Sequence, residues 1–325
     1  MKIAKRFTLL SACLISSSLM AQSPRDAKTP LGTTIWTGSI QAEVGYWLGD
    51  ATYSIGGQAW SPETGKIQLP DKISELKFPL DVAYGALGGN LFWKNKVEIF
   101  GSLSENLTDP SSKMKDSDWG VFDDSGSLDI YSESDAKLTA VAADVGVRYW
   151  FSSTTTTNRS FLLFGIGPSL TYQHLDWTLS NVDQWYPSQP RMAHDTQSGV
   201  GATYNADIIM PYLNACALFK FKRISGRLEI GLGPALVQDE DNHVIRQKRS
   251  TADMVGVGAK GAVELRYDLS RNIFTLARVS ALSVQATGTS TDTGYGGELQ
   301  GYNAEIDEDF ALTSFTGGLA VGYNF

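Results

Sequence analysis

A chain of 325 residues with 32 glycines, 13 tyrosines and 8 tryptophans is long enough for one large domain or two, and its two cysteines exclude a disulfide-rich scaffold. A net charge of -8 at pH 7 argues against nucleic acid as a partner. After the N-terminus no apolar run reaches the roughly 18 residues of a membrane-crossing helix.

The first residues read as an export signal. Lys2, Lys5 and Arg6 form a basic segment, Phe7 to Met20 is apolar or small, and Ala21 is a suitable last residue before cleavage. Lipoprotein-type processing at Leu10-Ser11-Ala12-Cys13 is the alternative, with only a very short apolar run before Cys13. Residues 1–21 are thus expected to be a signal peptide and 22–325 a single domain. The mature chain would carry 24 basic against 35 acidic residues, a charge that attracts cationic peptides. It would keep only Cys216, so no intrachain disulfide is expected.

From about residue 36 the chain alternates at period two. Ile40, Ala42, Val44, Tyr46 and Leu48 share one face, with Gln41, Glu43 and Gly45 on the other. The second strand has Leu76, Phe78, Leu80, Val82, Tyr84 and Ala86 against Glu75, Lys77 and Asp81. The turn at Trp93-Lys94-Asn95-Lys96 opens a third strand, with Val97, Ile99 and Leu103 against Glu98, Ser102 and Ser104. A polar segment, 107–135, precedes a fourth, with Val141 to Phe151 on one face and Asp144, Gly146 and Arg148 on the other. The pattern repeats as strands 161–177, 206–221, 227–240, 253–267, 273–286 and 309–325. The connections alternate between short turns (152–160, 222–226, 268–272) and long polar segments (178–205, 241–252, 287–308).

Ten such strands exceed the usual five or six residues of a soluble sandwich strand and the roughly 9–11 needed to cross a bilayer at a tilt. A secreted all-β sandwich is the competing architecture. The expected fold is all-β: a transmembrane antiparallel β-barrel with apolar faces towards lipid, polar faces inward, short periplasmic turns and long extracellular loops. Tyr46, Trp47, Phe92, Trp93, Tyr149, Trp150, Phe151, Trp177, Tyr323 and Phe325 stand near strand ends, where interfacial girdles form. The even count closes the sheet. Outer-membrane lipid and the barrel-assembly machinery are the implied partners, and the bacterial outer membrane the location.

Two stretches carry chemistry. If strand 227–240 runs on, Asp239, Asp241 and His243 share the polar face with Arg227 and Glu229. An acid two residues before a histidine on a rigid face can orient the imidazole and support its charged form. The bland alternative is a polar strand end entering a solvated loop. Asp116-Ser117-Asp118-Trp119 places two acids on one face of an extended chain, an arrangement that is usually solvated and sometimes binds calcium.

Asp116-Ser117-Asp118-Trp119 and Asp241-Asn242-His243 together resemble the Asp-x-Asp-Trp and Asp-x-His motifs of the omptin family, the aspartate–histidine proteases of the outer membrane. Ser74-Glu75-Leu76, Tyr172-Gln173, Met210-Pro211-Tyr212 and the final Gly322-Tyr323-Asn324-Phe325 extend the resemblance over the mature chain. It implies a ten-stranded barrel and an endopeptidase without cofactor or metal. In it, Asp241 supports His243 as general base while Asp116 and Asp118 bind the attacking water. It also implies an acidic substrate pocket in which Asp239 matches one acid and Tyr53 stands where the other is expected. The resemblance makes lipopolysaccharide a candidate activator, but of the family's lipopolysaccharide-binding residues only Tyr172 matches, with His174, Asp176 and Asp207 at the others, so dependence on it does not carry over. His174 and His194 show no Asp-x-His setting.

The leading reading is a cell-surface endopeptidase for peptide or protein substrates, the cationic ones favoured. The alternative is a non-catalytic barrel of the same fold serving adhesion, binding or envelope structure. A lipid-modifying barrel hydrolase would need a His-x-Ser motif near a strand end, which the sequence lacks.

Overall fold

The computed structural model describes residues 36–122, 126–157 and 160–325. The expected signal peptide lies outside the described residues, as do Asn158 and Arg159 of the 152–160 turn. Among the described residues thirteen strands form one antiparallel sheet. They are β1 (Trp36–Ser61), β2 (Gly65–Gln68), β3 (Ser74–Pro79), β4 (Val82–Trp93), β5 (Val97–Asn106), β6 (Met114–Trp119), β7 (Leu128–Thr157), β8 (Ser160–Trp185), β9 (Asp195–Phe221), β10 (Ile224–His243), β11 (Lys248–Asp268), β12 (Ile273–Gly294) and β13 (Asn303–Asn324). β1 pairs with β13, from Ser39↔Asn324 to Trp60↔Glu305, and closes the sheet. Ten strands surround the lumen. In the lower half β1 pairs with β4 and β5 with β7; in the upper half β3 and β6 take those places.

The changeover falls at Gly49. Its φ of +133° suits glycine, and a Cβ there would lie 2.0 Å from the Thr313 carbonyl oxygen. Opposite it, Leu80 and Asp81 separate β3 from β4, so the expected single strand over 76–86 is two. The long polar segments also differ from expectation. They continue the barrel above the membrane: β6 lies within 107–135, β8 runs on to Trp185, and β10 to His243. Outside lipid the apolar alternation lapses, but the hydrogen-bonded ladders go on.

The lipid-facing belt is formed by residues such as Ile40, Val44 and Leu48 on β1, Leu228 to Leu236 on β10 and Phe315 to Tyr323 on β13. Above Leu48, Leu236 and Phe315 the outward positions turn polar. Tyr46, Trp93, Tyr149, Phe151 and Tyr323 face outward as a girdle, whereas Trp47, Trp150 and Trp177 are buried inside.

The interior is layered rather than uniformly polar. In the lower half Arg148 bridges Glu98 (2.7 Å) and Glu229, Arg227 reaches Glu98 (2.8 Å), and Arg278 reaches Glu264 (2.5 Å). Arg148, Arg227, Glu229, Glu264 and Arg278 border a cavity of about 540 Å³. Pairing offsets the cost of removing each charge from bulk water.

Above it lies an apolar layer. Leu76, Phe78, Leu80, Val82 and Tyr84 point into it, which corrects the expectation that this face meets lipid. Leu138, Trp177, Tyr204, Ile208, Val237 and Phe310 join them. The Phe78 ring stacks on Tyr204 at 4.2 Å, and Trp177 Nε1 donates to the Pro79 carbonyl at 3.0 Å. Strand alternation gives one apolar face but not its direction; on β4 the outward side is small at Ala83, Gly85 and Gly89.

Phe78→Ala would leave a cavity in this layer. We expect a loss of about 3–5 kcal/mol, measured by urea unfolding of the barrel in lipid vesicles. A loss below about 1 kcal/mol would contradict a packed layer.

Candidate functional site

The extended ladder of β10 carries Asp239, Asp241 and His243 to the inner face above the apolar layer. Asp239 and Asp241 are buried, and His243 keeps a modest exposure. Their backbone neighbours on β9 and β11 are Ala206 and Ala252, Tyr204 and Ser250, and Ala202 and Lys248. On the β3–β6 side Asp116 pairs in register with Leu76, and Asp118 with Ser74. Both aspartates turn inward, as continued strand parity suggests, although the chain is interrupted between β5 and β6.

His243 Nε2 lies 2.8 Å from Asp241 Oδ2, which leaves Nδ1 as the open ring nitrogen. Tyr53 on β1 donates a short hydrogen bond to the same carboxylate oxygen. Among the described residues, Asp241 Oδ1 and Asp116 Oδ1 are buried without hydrogen-bond partners. Arg246 at the rim stands 4.0 Å from Asp118, and Lys248 binds Asp292 at 2.8 Å.

All these groups lie above the lipid belt, and their environments separate their titrations. Burial raises the Asp241 carboxyl, but the charge of His243 and hydrogen bonds from His243 and Tyr53 outweigh it and hold Asp241 below its ordinary value. Burial also opposes a charged His243; Asp241 outweighs it, and the imidazole sits above the usual histidine value. Burial first, and the adjacent Asp118 second, push Asp116 up to about 7. One carboxyl of that pair therefore holds a proton near neutral pH, while Asp241 stays ionised.

A second carboxyl pair lies lower in the same lumen. Tyr204 donates to Asp239 Oδ2 at 2.7 Å, and Glu308 on β13 hydrogen-bonds Asp239 from the far side. Burial and then the charge of Asp239 push Glu308 up to about 10, so this pair shares one proton. The sequence reading missed Glu308 because it fell in a segment taken as a loop. A signal was present: Ala304, Ile306, Glu308, Phe310 and Leu312 alternate, and one acid interrupts an otherwise apolar inner face.

The remaining candidates lie elsewhere. Tyr172 faces outward and donates to Asp207 at 2.6 Å, and His174 Nδ1 meets the same carboxylate at 2.9 Å. His194 pairs with Asp183 at the rim and stacks on Trp185 at 4.7 Å. Both histidines thus have carboxylate partners, but neither partner is two residues before its histidine on a lumen-facing strand. Among the described residues no group of three or more His, Cys, Asp or Glu side chains is arranged to hold a metal ion.

The fold is that of a bacterial outer-membrane β-barrel, and the outer membrane is where its lipid belt belongs. It is similar to the crystal structure of the outer-membrane protease OmpT from Escherichia coli, at a TM-score of 0.70 and 15% identity over 89% of this chain and 97% of that one. The omptin-like fold expected from the motifs is thus present. The translocator domain of the autotransporter NalP from Neisseria meningitidis aligns over 91% of this chain and 90% of its own, at a TM-score of 0.36 and 9% identity. No protein-family model matches the chain, and no curated protein matches it in sequence.

The raised Asp116 carboxyl carries a stability cost with a defined sign. Because its folded value exceeds the unfolded one, the cost is absent below the unfolded value near 3.8 and complete above about 7. Asp116→Asn is expected to raise the urea midpoint at about pH 8 and to leave it nearly unchanged below about pH 3.5. An equal effect at both pH values would contradict the assignment.

Proposed function

We propose that the chain is an endopeptidase acting at the cell surface through a water activated by His243. The reading rests on the juxtaposition of the His243–Asp241 pair with the Asp116–Asp118 pair across one lumen. His243 Nδ1 takes a proton from a water held by Asp116 and Asp118, and the resulting hydroxide adds to the scissile carbonyl carbon. The carboxyl that keeps its proton donates to the developing oxyanion. The imidazolium then gives its proton to the leaving amine as the C–N bond breaks, yielding an acid and an amine. No protein nucleophile, metal or cofactor is required.

Asp239, with Glu308 beside it, would receive the substrate side chain beneath the reacting bond. The acidic lumen favours cationic peptides. Tyr172 is the residue we assign to contact with outer-membrane lipid, with lipopolysaccharide as the candidate activator. The barrel-assembly machinery remains the expected partner in insertion.

The test is digestion of a peptide library by the refolded barrel, with and without lipopolysaccharide. His243→Ala is expected to lower kcat by about 10²–10⁴-fold, the usual contribution of a general base, with Asp118→Asn also impaired. Undiminished cleavage by His243→Ala would refute the mechanism. A folded wild type that cleaves nothing under either condition would instead favour a non-catalytic barrel serving adhesion, binding or envelope structure.

A further inference from the structure

Tyr53 is buried at the inner face of β1, between Phe310 of β13 and Leu76 of β3 in register. Its ring is fixed by stacking on Tyr204 (5.2 Å, 24°) and on Phe78 (6.2 Å, 21°). Packing therefore aims the hydroxyl, which donates to Asp241 Oδ2 from 188 residues away. That oxygen also faces His243 Nε2, while Asp241 Oδ1 is buried with no hydrogen-bond partner among the described residues. Tyr53 and His243 thus share a single carboxylate oxygen.

We infer that Tyr53 is a positioning residue for the base: it fixes the Asp241 carboxylate and draws off part of its charge, making His243 a weaker base than Asp241 alone would make it. A carboxylate that already accepts a phenol hydrogen bond holds an imidazolium proton less firmly. A general base works best when its own titration lies near the operating pH. Left with an undiluted buried carboxylate, His243 would stay protonated over more of the neutral range and be unable to accept a proton from water.

The charged and titratable groups facing this pair are few. Asp241 lies on the same strand, with Asp239 below it. Arg246 and Lys248 stand on the following turn and on β11, Asp116 and Asp118 on β6, Tyr204 on β9 and Glu308 on β13. Arg246 and Lys248 disfavour the imidazolium through their charge; the route inferred for Tyr53 runs through the shared Asp241 oxygen. Of these, Tyr53 has its hydroxyl on the oxygen that holds His243.

The inference rests on His243 being the base, but its test does not need activity. The chain contains three histidines, so labelled imidazoles can be titrated by NMR in the detergent-refolded barrel, with His174 and His194 as internal references. In Tyr53→Phe, which keeps the stacked ring, the His243 midpoint should rise by about 0.5–1 pH unit, the equivalent of one hydrogen bond. With 3-fluorotyrosine placed at residue 53, a stronger donor, it should fall; this second variant decides the matter if Tyr53→Phe does not fold. The acid limb of the cleavage profile should move in the same direction. A His243 midpoint that is unchanged or lower in Tyr53→Phe, or unchanged with 3-fluorotyrosine, would overturn the inference. The expected shifts without any cleavage would uphold it and refute the peptidase reading alone.

Discussion

In the hydrocarbon of a bilayer an unpaired backbone N–H or C=O costs several kcal/mol, so a sheet that crosses must close. The pairing of β1 with β13 meets that demand, and it decides much else. With both edges joined, each inward residue is confined to one shared lumen. Tyr53, Asp116, Asp241 and Glu308 come from four parts of the chain, and closure makes them neighbours. The site is thus a consequence of how the barrel satisfies its backbone rather than of any local motif.

The lumen is stratified in a way that suits chemistry at its upper end. Below, arginines and lysines neutralise Glu98, Glu229, Glu264 and Asp144 one by one. In the middle, the stack of Phe78, Tyr204 and Trp177 separates those ions from the upper lumen. Above it the carboxyls outnumber their cationic partners, and Asp118, Asp239, Asp241 and Glu308 are buried. Burial then raises Asp116 and Glu308, while Asp241 remains ionised because His243 and Tyr53 stabilise its charge. Neutral and charged carboxyls coexist within one small volume, which is the condition for donating one proton and accepting another.

Much of this was legible in the sequence. Period-two alternation gave the strand number, and the parity of 227–243 correctly set Asp239, Asp241 and His243 on the face of Arg227 and Glu229. What the pattern could not supply was direction. Val44 and Phe78 each sit on the apolar face of a strand, yet one meets lipid and the other the lumen. Val82 and Tyr84, level with the belt opposite Trp47 and Gly45, also turn inward and leave the outward side to Ala83 and Gly85. Height is therefore only part of the difference: above the bilayer the outside is water. For the same reason the upper strands read as polar loops, and Glu308 went unnoticed. The Tyr53–Asp241 bond is a long-range contact set by closure and shear, so neither stretch announces it.

The account stands on the two pairs acting as one catalytic unit across the lumen. The most direct measurement is a double-mutant cycle on kcat/KM for peptide cleavage with Asp118→Asn, His243→Ala and the two combined. Groups that act together lose their effect together, so the double variant should be scarcely slower than the worse single variant. Losses that multiply would show that the pairs work independently and would contradict a shared water between them.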